Sequence, residues 1–199
     1  CMRLGGPTFL KNPTPEQWIA EHARLGYSVA YAPGNTWDDA KPFVEAAAKA
    51  HLPVAEIGAW SNPIASDPAE RKKAIQLCCD RLALADRIGE ICCVNIAGSR
   101  GPVWDGPDAR NLSDETFEMI VQSVRQIIDT VQPRRAMYSL ETMPWIFPDS
   151  PGSYLALMRA IDRKQFAVHL DIVNMVNCPT RAYRTGDFVR EVFAKFDLA

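Results

Sequence analysis

Short apolar runs alternate with longer amphipathic segments along the whole chain. The apolar runs cover residues 2–4, 29–31, 54–57, 91–96, 137–140 and 166–170. They are short and continuously apolar, which is typical of parallel strands that are covered on both faces. Repeated strand–helix units imply right-handed crossovers within one parallel sheet. The pattern therefore predicts an α/β fold with six strands, each followed by a helix.

Helix start and stop signals occupy the segments between these runs. Thr14-Pro15-Glu16-Gln17 combines an N-cap residue, a proline at the first helical position and a capping-box glutamine, and Gly26 ends that helix. Further helices are predicted over about 38–50, 67–89, 113–133, 150–163 and 187–196. The helices therefore have clear local boundaries.

A closed (β/α)8 TIM barrel fits this order better than an open doubly wound sheet. A nucleotide-binding sheet carries G-x-G-x-x-G after its first strand, whereas Gly5-Gly6-Pro7 is only a turn signal. Six units in 199 residues extrapolate to eight in about 260, near the typical barrel length of about 250. We therefore expect one TIM-barrel domain over residues 1–199 that holds about six β/α units, and we expect the last two units to lie beyond Ala199.

Composition argues against several classes of protein. The net charge of −2 provides no basic footprint for nucleic acid. No run of 18 or more apolar residues could span a membrane, and the N-terminus lacks the layout of a signal peptide. The six cysteines show no C-x-x-C spacing and are predicted to be reduced, buried and apolar in character, in a cytoplasmic protein.

Two predicted strands end in a carboxylate. Glu141 follows the fifth apolar run and Asp171 follows the sixth, so adjacent strands would bring both to the rim of the barrel where TIM-barrel active sites lie. A bare carboxylate at the end of a buried strand is costly unless it is paired, hydrogen-bonded or bound to a cation. Hard cations such as Mg²⁺ and Mn²⁺ prefer oxygen ligands. The residues alone leave two interpretations open: a divalent-metal site, or carboxylates that cap the following turns or pair with arginine.

Other polar and aromatic residues follow strands on the same predicted rim. The candidate substrate-binding residues are Asn174, Glu56, Trp60, Asn95, Arg100, Trp104 and Trp145. The tryptophans could stack on a sugar and exclude water, or could simply pack the loops. His169 shares a strand face with Asp171, but no role is assigned to it.

The segment Leu140-Glu141-Thr142, followed one unit later by His169-Leu170-Asp171-Ile172-Val173-Asn174, resembles the sugar phosphate isomerase/epimerase superfamily. These xylose isomerase-like barrels include ketose 3-epimerases, hydroxypyruvate isomerases, inosose dehydratases and endonuclease IV. In that superfamily one divalent metal is held by Glu, Asp, His and Glu on strands five to eight. Glu141 and Asp171 match the first two, so the resemblance implies one Mn²⁺, Mg²⁺, Co²⁺ or Zn²⁺ ion.

The resemblance implies a metal-dependent isomerase or epimerase of a small sugar, sugar phosphate or keto-polyol. The metal would stabilise the enediolate that forms when an α-proton is removed, and Glu141 would be one of two carboxylates that take and return the proton. Asn174 stands where many members carry the His of Asp-x-x-His. Asparagine can hold a substrate hydroxyl or form a turn, but it cannot shuttle a proton near neutral pH.

Three alternatives remain. An inosose-type dehydratase would use the same first step, and a truncated barrel could bind a ligand without catalysis. An endonuclease IV-like nuclease is disfavoured because it would need extra histidines where this chain has Glu56, Asn95 and Asn174. The expected partner is a small carbohydrate, with no nucleic acid or membrane, in a possible homo-oligomer.

Overall fold

The computed structural model describes residues 3–196. Its named strands form one parallel sheet in the order β1-β2-β3-β4-β5. They are β1 (Ala30–Tyr31), β2 (Val54–Gly58), β3 (Cys92–Asn95), β4 (Met137–Glu141) and β5 (Phe166–His169). Neighbours in the sheet follow one another in the chain, which confirms the α/β architecture and gives an arc of a barrel.

The predicted first strand is reduced to a single bridge. Met2 lies outside the described residues, and Gly5 forms an isolated parallel bridge with Val29. Leu4 supports this bridge, since its carbonyl oxygen accepts a hydrogen bond from the Ser28 N–H at 2.7 Å. A Cβ at Gly5 would lie 2.7 Å from the Val29 carbonyl oxygen, so only glycine permits this close approach.

The helices confirm the start signals in the sequence. They are α1 (Pro15–Arg24), α2 (Trp37–Lys49), α3 (Pro68–Ile88), α4 (Asp114–Val131), α5 (Pro151–Ile161), α6 (Ile172–Met175), α7 (Pro179–Tyr183) and α8 (Thr185–Lys195), with a 3₁₀ turn over Ala109–Leu112. Thr14 forms the expected capping box with Gln17, and Ser113 and Ser150 cap α4 and α5. The sequence did not predict α6, α7 or the 3₁₀ turn. No helix of the described residues is both long enough and apolar enough to cross a bilayer.

The core lies between the sheet and the helices, and it contains three of the five cysteines that the structure describes, Cys1 lying outside the described residues. Cys78, Cys79 and Cys93 are buried and free, as predicted. Cys92 is partly buried and Cys178 is exposed, so the prediction of uniform burial was wrong for Cys178.

Alternation along the strands decides which side chains face the barrel interior. The Tyr138 hydroxyl donates to Cys78 of α3, so Tyr138 points outward and its neighbours Ser139 and Glu141 at odd positions point inward. Glu141 pairs with His169 in the β4–β5 register, which places His169 on the same inner face.

Candidate active site

Glu141 and Asp171 lie at the carboxyl ends of β4 and β5, and a threonine fixes these two ends together. The Thr142 hydroxyl donates to the Asp171 carbonyl oxygen at 2.7 Å, and the Asp171 N–H donates to the same hydroxyl at 3.0 Å. Thr142 is fully buried, which makes this link part of the packed rim.

Asn174 contacts both carboxylates. Its backbone N–H donates to Oδ1 of Asp171 at 3.1 Å, and its Nδ2 donates to Oε1 of Glu141 at 3.4 Å and to the Thr142 carbonyl oxygen at 3.0 Å. Asp171 is therefore the N-cap of α6, so the capping interpretation is correct for one of its oxygens. Because a single residue bridges both side chains, the two carboxylates lie near each other at the rim.

The electrostatics of this pair suit a cation. Burial raises the pKa of Glu141, and the neighbouring Asp171 carboxylate raises it further. Asn174 donates to one oxygen of each carboxylate and so occupies one lone pair of each, which leaves lone pairs on both carboxylates for a cation. Among residues 3–196 no cluster of three or more His, Cys, Asp or Glu side chains could hold a metal. Within residues 3–196 the pair therefore offers two carboxylate groups, the type of oxygen ligand that hard divalent cations prefer.

His169 occupies the space between two carboxylates on the inner face. Its Nδ1 lies 3.5 Å from Oε2 of Glu56, and its Nε2 lies 3.9 Å from Oε2 of Glu141. Sequence reasoning left His169 without a role. Its two-residue spacing from Asp171 was the available signal, because residues at i and i+2 of a strand share a face.

Burial shifts the titration of these interior groups. It raises the pKa of Glu56 to about 7, with a further contribution from Glu141. It lowers the pKa of His169, although Asp171 opposes that change. Burial together with the Glu56 and Glu141 carboxylates raises the pKa of Tyr31, which pairs with Glu56 in the β1–β2 register. Among the described residues, the inner face is therefore a cluster of polar groups in which no lysine or arginine forms an ion pair with Glu56 or Glu141, as expected of a site that binds a polar ligand.

The three candidate tryptophans lie in the rim loops. Trp60 and Trp104 are roughly half exposed and line a groove of about 390 Å³ beside α3, and neither Glu141 nor Asp171 lines this groove. The Trp60 indole also covers the backbone of Gly58. The Trp145 indole N–H donates to the Asp105 carbonyl oxygen at 2.8 Å, which ties two rim loops together. All three remain candidates for substrate contact.

Asn95 and Arg100 do not face the interior, contrary to the sequence prediction. Asn95 pairs with Leu140, an outward position, and its fully buried amide contacts Ser61 and Cys78. Asn95 therefore stabilises the layer between sheet and helices.

The Arg100 side chain is directed to α4 and is largely buried there. It donates to Thr116 and Met119 and lies 3.5 Å from a carboxylate oxygen of Glu115. These contacts fix the loop after β3 and leave the guanidinium away from the carboxylates.

The comparisons with known families agree with this geometry. The model of the xylose isomerase-like TIM barrel family matches residues 19–198. The chain belongs to that family. No curated protein sequence matches it significantly.

Solved structures that superpose on this chain include sugar epimerases. The D-psicose 3-epimerase of Clostridium cellulolyticum H10, solved with D-tagatose, is 17% identical with a TM-score of 0.67, and the match covers 90% of this chain and 64% of the epimerase. An L-ribulose 3-epimerase is 16% identical with a TM-score of 0.76, covering 98% and 68%.

A further xylose isomerase-like TIM barrel protein, from Mycobacterium smegmatis and in complex with magnesium, is 13% identical with a TM-score of 0.60, covering 89% and 65%. The chain thus spans about two thirds of the length of these three proteins. At these identities the likeness establishes the fold.

Proposed function

We propose that this chain forms part of a divalent-metal-dependent isomerase or epimerase that acts on a small sugar, sugar phosphate or keto-polyol. The observation that carries the proposal is the pair of rim carboxylates, Glu141 and Asp171, held by Asn174 at the ends of adjacent strands. The epimerases among the structural matches support this choice of reaction, and the magnesium complex supports a metal.

Glu141 and Asp171 would hold the metal through their carboxylate oxygens. The ion, which could be Mn²⁺, Mg²⁺, Co²⁺ or Zn²⁺, would act as a Lewis acid that neutralises charge developing on the substrate oxygens. Glu141 has a second role in the proposal, because its Oε2 faces the barrel interior and can receive the proton from the carbon beside the carbonyl.

The other interior and rim residues would bind and orient the substrate. Asn174 holds the Glu141 carboxylate in position through its amide. Glu56 offers a hydrogen-bond acceptor from the opposite side of the interior, and the rings of Trp60, Trp104 and Trp145 would cover the substrate and exclude water.

An inosose-type dehydratase is a close alternative because it begins with the same proton removal. A ligand-binding barrel without catalysis is the non-enzymatic alternative. Both are separated from the leading proposal by the products that the full-length protein forms. A nuclease is not proposed, because Glu56 and Asn174 stand where an endonuclease IV-like zinc cluster would require histidine.

The test is exchange of the α-proton with deuterated solvent. The full-length protein would be incubated with Mn²⁺ and a panel of ketoses, ketose phosphates and inososes, and exchange and products would be followed by NMR. We expect exchange with at least one ketose, and loss of exchange in Glu141→Gln but not in Glu118→Gln, a matched change at an exposed position of α4. The absence of exchange with every carbonyl substrate, with metal bound, would contradict the proposal.

A further inference from the structure

Glu56 and His169 are interior polar residues that the proposed proton transfer and metal binding do not use. We propose that they form a hydroxyl-binding subsite, which holds one substrate hydroxyl beyond the two oxygens that the metal would hold. The inference rests on the proposed function and assigns to it a specificity-determining pair of residues.

Strand register brings these two side chains together from separate parts of the sheet. His169 lies beside Glu141 because the two residues are paired between β4 and β5. Glu56 belongs to β2 and reaches His169 across the interior, with 3.5 Å between Oε2 and Nδ1. The Glu56, His169 and Glu141 side chains are 16%, 24% and 21% exposed, so they form a recess that remains open to a ligand.

Within the described residues, the Glu56 carboxylate and the His169 ring nitrogens that face this recess lack well-formed hydrogen bonds. No described side chain or backbone N–H donates a hydrogen bond to the Glu56 carboxylate, and the two His169–carboxylate distances of 3.5 and 3.9 Å are too long for good hydrogen bonds. A largely buried carboxylate without donors is costly. A ligand donor that bridges Glu56 and His169 from the open side of the recess would remove that cost.

A hydroxyl group has the matching chemistry. It can donate to the Glu56 carboxylate and at the same time accept from the imidazole Nδ1–H, which His169 carries in one of its two neutral tautomers. A phosphate or carboxylate would be repelled by Glu56 and Glu141 wherever these two groups are ionised. Among residues 3–196 no lysine or arginine forms an ion pair with Glu56 or Glu141 that would offset this repulsion. The recess therefore selects a neutral, hydroxyl-bearing part of the substrate.

The experiment measures each variant of the full-length protein, with Mn²⁺, on each of a set of substrate analogues. Each hydroxyl of the active ketose is removed in turn, and kcat/KM is measured for the parent and every monodeoxy analogue. For the unaltered protein, kcat/KM should be about 100-fold higher for the parent ketose than for one of the monodeoxy analogues. This ratio is smaller than the 10⁴–10⁵ of a fully enclosed hydroxyl site, because the recess is partly open. Glu56→Ala and His169→Ala should lose most of that preference at this position only.

Matched variants separate substrate contact from a structural effect. Asn95→Ala alters a buried polar residue on the outer face of β3 and should keep the preference. His169→Gln keeps an N–H donor and should restore the preference partly, which also provides a readout if the alanine variants fail to fold.

If folded His169 and Glu56 variants kept the full preference for the parent ketose over every monodeoxy analogue, the subsite would be overturned while the proposed function stayed intact. No turnover of any ketose by the unaltered protein would contradict the proposed function, and the subsite with it.

Discussion

Replacement of Asn174 by aspartate tests whether the Asn174 side chain lies against the Glu141 carboxylate, as the structure shows. The Asn174 Nδ2 lies 3.4 Å from Oε1 of Glu141 and 3.0 Å from the Thr142 carbonyl oxygen. Aspartate has the same shape as asparagine. It would therefore place an anionic oxygen where the amide now donates to the Glu141 carboxylate and to the Thr142 carbonyl oxygen. The change therefore converts two attractive contacts into repulsive ones and brings a third carboxylate to the rim.

The structure sets the scale of the effect. Two like charges about 4 Å apart repel by about 4 kcal/mol at an effective dielectric constant of 20. Glu141 is partly exposed and can rotate, so we expect about half of that, roughly 2 kcal/mol. Loss of the amide donor alone, as in Asn174→Ala, should cost about 1 kcal/mol.

The assay is urea unfolding at neutral pH in EDTA, repeated with millimolar Mn²⁺. Asn174→Asp should be less stable than Asn174→Ala in EDTA, and Mn²⁺ should stabilise it more than it stabilises the unaltered protein. Asn177→Asp is the matched control, because that exposed amide donates to the Pro144 carbonyl oxygen and accepts from Arg181, so an aspartate there replaces an amide donor without facing another carboxylate. If Asn174→Asp were as stable as Asn174→Ala without metal, the Glu141 carboxylate would not be close to this amide.

Three further changes have defined outcomes. Glu141→Gln should lower the rate of α-proton exchange by about 10³-fold with unchanged far-UV circular dichroism, because the amide cannot accept the proton. Asp86→Ala should lower the free energy of unfolding by about 2 kcal/mol, since Oδ1 accepts the backbone N–H groups of residues 134–136 at 2.6–2.9 Å. Burial raises the pKa of Asp86, but those donors lower it by more, so its pKa in the folded protein is below the ordinary value. The contribution of Asp86 to the free energy of unfolding should therefore be full above about pH 4 and disappear on further acidification. Urea titrations over this pH range should show that loss in the unaltered protein and not in Asp86→Asn. Gly98→Ala should destabilise by about 2 kcal/mol or more in thermal unfolding, because φ is +101° and the new methyl would lie 2.8 Å from Cγ of Asn62; an unchanged Tm would refute this.

Local signals in the sequence predicted most helices and strands. Capping residues such as Thr14, Asp67 and Ser150 act within one helical turn, so their effect does not depend on the rest of the fold. The short helices α6 and α7 were missed because four or five residues carry no measurable periodicity. The predicted first strand is only the isolated Gly5–Val29 bridge in the structure. This is a long-range contact, and the local apolar run does not indicate how many residues pair.

The candidate site depended on which face of each strand a residue occupies. Glu141 and Asp171 were identified because they end or follow buried runs, and the structure joins them through Asn174. Asn95 also ends a strand, but its register with Leu140 turns it outward. A shift of one residue reverses the face, and sequence alone does not fix register. The contact of His169 with Glu56 was unpredictable for the same reason, since it joins strands far apart in the chain.

Titration of Mn²⁺ into the metal-free, full-length protein tests the proposed metal site most directly. Calorimetry should show one ion per chain, and the affinity should fall by at least about 100-fold in both Glu141→Gln and Asp171→Asn, since even groups that only support metal ligands contribute 10- to 100-fold. Glu118→Gln should bind Mn²⁺ like the unaltered protein. Unchanged affinity in both rim variants would contradict the assignment of Glu141 and Asp171 as metal ligands.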